Sequence, residues 1–111
     1  MPFEIILAPG AVAAVKDLTV PVRTEVTEAI KRHLTHEPTK VSKSRIKRLR
    51  GLSQPQYRLR VGDIRVFYDV TEAQVQVLAV VTKAEADAWL KKYGTPAKDN
   101  AEGGGSRGSQ G

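Results

Sequence analysis

The sequence has no cysteine, two histidines, one tryptophan and an aromatic content of 5%. Without cysteine there are no disulfides and no thiolate chemistry, and a zinc site would fall to histidine and carboxylates. No apolar run approaches the roughly 18 residues of a membrane span, and no signal-peptide pattern opens the chain, so a cytoplasmic location is the simplest expectation. Internal repeats are absent too. Acid is scarce in one particular place. Between Lys40 and Arg65 stand Lys40, Lys43, Arg45, Lys47, Arg48, Arg50, Arg58, Arg60 and Arg65, against the single acid Asp63. The net charge of +6 is therefore concentrated in that stretch, the pattern of a footprint for an anionic partner.

The most informative stretch is Gly51 to Asp69, GLSQPQYRLRVGDIRVFYD. Two alternating runs, Tyr57 to Val61 and Ile64 to Val70, flank Gly62-Asp63, a pair that favours a two-residue hairpin turn because glycine accepts positive φ. That turn sets Val61 against Ile64, Arg60 against Arg65, Leu59 against Val66, Arg58 against Phe67 and Tyr57 against Tyr68. One face then carries Tyr57, Leu59, Val61, Ile64, Val66 and Tyr68, a core face. The other carries Arg58, Arg60 and Arg65 around Phe67. Like charges set opposite one another weaken a sheet, so the cluster points to an anion rather than to stability.

Before the hairpin, Phe3 to Leu7 predicts a first strand, broken at Pro9-Gly10. Ala11 to Leu18 predicts a short helix with Val12, Val15 and Leu18 on one side. A longer helix follows from Pro21, with Val22, Val26, Ile30 and Leu34 in an apolar stripe, ending near Pro38. His33 and His36 share helical spacing with Glu37 nearby, but no third ligand recurs, so surface histidines are expected and no metal. Thr39 to Arg50 reads as a basic connector anchored by Val41, Ile46 and Leu49.

After the hairpin, Gln74 to Val81 predicts a central strand with Val75, Val77, Ala79 and Val81 on one side and Leu78 and Val80 on the other. Lys83 to Tyr93 predicts a final helix with a capping box at Thr82 and Glu85, a packed side of Ala86, Trp89, Leu90 and Tyr93, and Gly94 as its stop. The expected fold class is α+β, a helical pair packed on a small, largely antiparallel sheet in the order β-α-α-β-β-β-α. Residues 1–94 form the expected domain, and residues 95–111, rich in Gly and Ser, an expected disordered tail.

This order, with RLRGL at Arg48 to Leu52 and YRLRVGDIRVFYDV at Tyr57 to Val70, resembles the RelE/ParE superfamily of toxins from type II toxin–antitoxin systems. The resemblance covers Phe3 to Gly94 and implies a RelE-like fold and a cognate antitoxin protein as partner. In the RelE branch it implies an endoribonuclease that cuts mRNA on the ribosome without a metal or other cofactor; in the ParE branch, an inhibitor of DNA gyrase. The family's basic positions on the two hairpin strands fall on Arg58, Arg60 and Arg65. Its arginine after the last strand falls on Glu85 and its later aromatic near Lys91, so the sequence departs there. Lys83 is the substitute cation, with Trp89 or Tyr93 as candidate aromatics. The resulting expectation is a catalytic set of Arg58, Arg60, Arg65 and Lys83, with Lys43, Arg45, Lys47, Arg48 and Arg50 contacting RNA phosphates. A gyrase inhibitor, or a catalytically decayed antitoxin-binding relative, is the alternative.

Overall fold

The computed structural model describes residues 1–97 of the 111-residue chain. Its centre is the hairpin, and the Gly62-Asp63 turn fixes it. Gly62 adopts φ +56°, in the left-handed region where a side chain is strained. Strands β4 (Tyr57–Val61) and β5 (Ile64–Val70) consequently pair as the alternation requires: Val61 with Ile64, Arg60 with Arg65, Leu59 with Val66, Arg58 with Phe67, Tyr57 with Tyr68.

Seven strands and three helices are described, against the four strands and three helices expected. In chain order they are β1 (Glu4–Leu7), α1 (Pro9–Asp17), α2 (Val20–Leu34), β2 (Ile46–Arg48), β3 (Leu52–Gln54), β4, β5, β6 (Gln74–Thr82), α3 (Lys83–Tyr93) and β7 (Thr95–Pro96). The main sheet runs β1-β6-β5-β4-β2, antiparallel except where β1 lies parallel to β6. The fold is thus the expected α+β, with a mostly antiparallel mixed sheet. The three unexpected strands have two or three residues each, too few for an alternation to register in sequence. The basic connector is accordingly not all loop: β2 pairs along β4, and Ile46 is buried while Val41, expected to anchor, is exposed.

Helices α1 and α2 cover one face. Val26, Ile30 and Leu34 of α2 are buried as their four-residue spacing requires. In α1 the buried residues are Ala11 and Val15, whereas Val12 is exposed. Pro9 sits in the first turn of α1, where its missing N–H costs nothing, so α1 begins at the proline that was expected to break the chain before it. Helix α2 carries Pro21 in its first turn, as expected. Leu18, just past α1, packs partly buried against the core beside Ala11 and Val15.

Opposite the helices, Leu59, Val66, Tyr68, Val75 and Val77 are fully buried. Between Phe67 and Tyr68 the register with β6 slips, since Phe67 pairs with Ala79 but Tyr68 with Val77. Leu78 is the extra residue. This bulge reverses the expected facing of the strand's second half: Val80 joins Val75 and Val77 toward the helices, while Ala79 and Val81 lie across from Phe67 and Arg65.

The Tyr68 hydroxyl donates to the Pro38 carbonyl at 2.6 Å, fastening the end of the α2 segment to the sheet. Burial raises the Tyr68 hydroxyl pKa well above its usual value, with the Tyr57 ring adding to the effect, so this tyrosine is a donor and no proton shuttle. Tyr68→Phe leaves the Pro38 carbonyl buried without its partner. Chemical denaturation is expected to show a loss of about 1–2 kcal/mol with an unchanged denaturant slope.

A two-stranded sheet pairs β3 with β7, and the Ala97 N–H donates to the Gly51 carbonyl at 3.0 Å. Thr95–Pro96, assigned to the tail on composition, is therefore a strand; residues 98–111 of the expected tail lie outside the described residues. No described helix is long and apolar enough to cross a membrane, and among the described residues no group of three or more His, Asp or Glu is placed to hold a metal ion.

Candidate phosphate-binding groove

The face of the sheet turned away from α1 and α2 carries the site. Register aligns one row straight across four strands: Lys47 beside Arg58, Arg58 beside Phe67, Phe67 beside Ala79. Arg65 stands in the next row, opposite Arg60. Helix α3 lies over the far end of these rows, held by Trp89 stacked on Phe67 with ring centroids 5.3 Å apart. Trp89 in turn packs against Tyr93. Between α3 and β2 a groove of about 340 Å³ opens, lined by the cations Lys47, Arg58, Arg65 and Lys83, the apolar residues Leu49, Phe67, Ala86 and Leu90, and the carboxylate of Asp87.

Local contacts hold α3 in place. Thr82 and Glu85 form the expected capping box, with the Glu85 N–H donating to Thr82 Oγ1 at 3.3 Å and the Thr82 N–H donating to Glu85 Oε1 at 3.1 Å. The Thr82 N–H and the Thr82 hydroxyl, which donates to Glu85 Oε1 at 3.0 Å, hold the Glu85 carboxyl below its usual pKa. The Lys83 N–H reaches the Asp63 carbonyl at 2.8 Å, joining the helix start to the hairpin turn. At the other end a Cβ on Gly94 would lie 2.5 Å from the Leu90 carbonyl oxygen and 3.2 Å from the Leu52 side chain, so only glycine allows this approach. The β3–β4 corner is fastened by Asp69. Its carboxylate accepts from Gln54 Nε2 at 2.6 Å and from the Gln56 N–H at 2.8 Å.

The arginines differ in their surroundings. Arg65 is 7% exposed, and its guanidinium donates from Nη1 to the carbonyls of Gly62 and Ile64 at 2.9 and 3.1 Å. Arg58 is half-buried, and its Nε is a buried donor with no partner. Burial, then Arg65, then Arg60 push the Arg58 pKa below its usual value. Arginine stays protonated regardless, so Arg58 is a cation disfavoured by burial and by two like charges, which an anion in the groove would relieve.

Of the expected catalytic set, the groove brings together Arg58, Arg65 and Lys83. Arg60 is exposed and lines a separate hollow with Arg45, Ser44 and Gly62. The expected RNA-contacting residues also divide. Lys47 belongs to the groove. Arg48 shares a face with Ile46 and lies 5.1 Å over the Tyr57 ring, on the other side of the sheet. Arg45 flanks α2 beside Arg32 and His33. Lys43 and Arg50 are exposed on either side of β2. Sequence reasoning did not place Leu49 or Asp87 at the site. For Asp87 the signal existed: it follows Lys83 by four residues and so shares its helix face.

His33 provides a pH-dependent check on this cationic surround. Partial burial, then Arg45, then Arg32 lower its pKa from 6.5. The unfolded chain therefore takes up the proton first, and stability present above pH 6.5 is lost as pH falls below it. His33→Gln is expected to flatten the thermal midpoint between neutral and mildly acidic pH, whereas an unchanged slope would dissociate His33 from it.

No protein-family model matches the sequence, and no curated protein does so. Solved structures do match. A chain in the crystal structure of the archaeal RelE–RelB complex from Pyrococcus horikoshii OT3 superposes with a TM-score of 0.62 at 24% identity, over 75% of this chain and 97% of that one. A mutant of the E. coli toxin RelE in the free state gives a TM-score of 0.62 at 19% identity, over 84% of this chain and 99% of its own. The RelB–RelE antitoxin–toxin complex from Methanococcus jannaschii gives 0.58 at 19%, over 76% and 96%. At these identities the likeness is one of fold. The chain has the RelE-like α+β fold, as the hairpin motif implied.

Proposed function

We propose that this protein is the toxin of a type II toxin–antitoxin module and acts as an endoribonuclease on messenger RNA bound to the ribosome. The observation that carries the reading is the groove: four cations line one hollow, and one of them keeps a buried donor unpaired. Arg58 and Arg65 hold the scissile phosphate and stabilise the charge that develops on its oxygens. Leu49, Phe67 and Leu90 offer apolar surface to a base or ribose. Arg45 and Arg60, in the separate hollow at the end of β4, with the exposed Lys43 and Arg50, add phosphate contacts along ribosomal RNA. Arg48, on the opposite face of the sheet, has no part in the groove itself.

The proposed partner is an antitoxin with an acidic or amphipathic segment that covers the cationic face and orders as it binds. The likeness to chains solved in RelE–RelB complexes supports this. A second reading, gyrase inhibition or binding without catalysis, is favoured by one observation: Glu85, at the position where the family carries an arginine, is committed to capping α3. A programmed ribosome with a labelled messenger separates the two. Cleavage at the A-site codon supports the nuclease reading; intact messenger with inhibited supercoiling supports the alternative.

A further inference from the structure

The groove contains a group that phosphate binding does not explain. Asp87 is the sole carboxylate among its lining residues. Aspartate is a poor helix former, and at the fifth position of α3 it lies beyond the first turn, where it would complement the helix dipole. Lys83 precedes it by four residues, the less favourable order for a helical ion pair, and no ion pair joins the two among the described residues. Lys91 follows Asp87 by four residues in the favourable order, yet no ion pair joins these two either among the described residues, so no partner on the helix accounts for the acid that this exposed position brings to the groove.

We infer that Asp87 is the general base of the cleavage reaction and Lys47 its general acid; this rests on the nuclease reading and completes it. Arginine cannot take a proton from a ribose hydroxyl, and Arg58 and Arg65 are the groove's innermost cations. Asp87 stands on α3 and Lys47 on β2, with the Arg58–Phe67 row between them. In-line displacement needs this arrangement, because the attacking and leaving oxygens lie on opposite sides of phosphorus. The Asp87 carboxylate takes the 2′-hydroxyl proton, and the freed oxygen pair forms the bond to phosphorus. The bond from phosphorus to the 5′ oxygen breaks with its electron pair, and that oxygen takes a proton from the Lys47 ammonium. The products are a 2′,3′-cyclic phosphate and a 5′-hydroxyl. Exchange with water returns both side chains to their starting states. Lys83, on the same wall as Asp87, supplies charge to the phosphate.

Single-turnover cleavage on programmed ribosomes tests this with Asp87→Asn and Lys47→Met. Each is expected to lose about 10²-fold or more in rate, the usual contribution of a positioned acid or base. Binding of a messenger with a 2′-deoxy residue at the scissile position should be retained by both. A messenger with sulfur in place of the 5′ bridging oxygen should rescue Lys47→Met and leave Asp87→Asn slow, because a thiolate departs without a proton. If wild type cuts and Asp87→Asn cuts as fast, the assignment of the base is overturned while the nuclease reading stands. Lys47→Met slow on both messengers overturns the assignment of the acid. Intact messenger with wild type overturns the nuclease reading and this inference together.

Discussion

Arg58→Met is expected to have opposite effects on activity and stability. The methionine keeps an apolar stem against Phe67 and removes the guanidinium. Messenger cleavage should fall by about 10²- to 10³-fold, the scale for losing one donor to a developing oxyanion. Stability should rise by about 1 kcal/mol, because the variant removes a buried donor that has no partner and relieves repulsion from Arg65 and Arg60. Thermal unfolding and the programmed-ribosome assay measure the two effects on one preparation. A variant that lost both would mean that Arg58 supports the sheet, and the groove's unpaired donor would lose its functional meaning. A gain in stability with a loss of activity is the usual mark of a site kept strained for use.

Trp89→Ala is expected to be the most damaging single change on α3. No residue of α3 is buried, so the helix depends on the stack of Trp89 on Phe67 more than on a hydrophobic stripe. Removing the indole should cost about 2–4 kcal/mol, in the range for large aromatic truncations. For a domain of this size the thermal midpoint falls by roughly 10 °C or more. Asp87 and Lys83 lose their position with the helix, so cleavage should collapse well below the unfolding temperature. Trp89→Phe should restore most of the stability and much of the rate. Equal stability of Trp89→Ala and wild type would show that the capping box and the Gly94 contact suffice to hold α3.

Much of this was legible in the residues because the strongest constraints are local. Gly62-Asp63 between two alternating runs leaves one register, and the register alone places Arg58, Arg60 and Arg65 on one face. Val26, Ile30 and Leu34 declare the α2 face in the same way. What stayed hidden depended on longer-range geometry. Nothing in the alternation of β6 announces the extra residue at Leu78, because a bulge is a property of two strands together. The three residues of β2 carry too short a pattern to be told from a basic loop, so Lys47 was placed among peripheral phosphate contacts instead of in line with Arg58. Arg60 was grouped with Arg58 by alternation, but it stands at the end of β4, where the sheet stops and its neighbours are Arg45 and Gly62. Asp87 shares a helix face with Lys83, but a single acid on an exposed helix face reads in sequence as a solvated surface charge.

The parallel pairing of β1 with β6 has a consequence for the order in which the chain acquires its properties. Glu4 pairs with Gln74, and a side-chain bond joins the same two residues. During synthesis the first strand and both covering helices emerge long before the strand that completes their sheet. Their apolar faces wait for it, and non-local pairings of this kind form late. The groove waits longer still, since its second wall is α3, and α3 is fixed at its end by β7. A newly made chain therefore lacks the complete groove until nearly all of its described length has emerged.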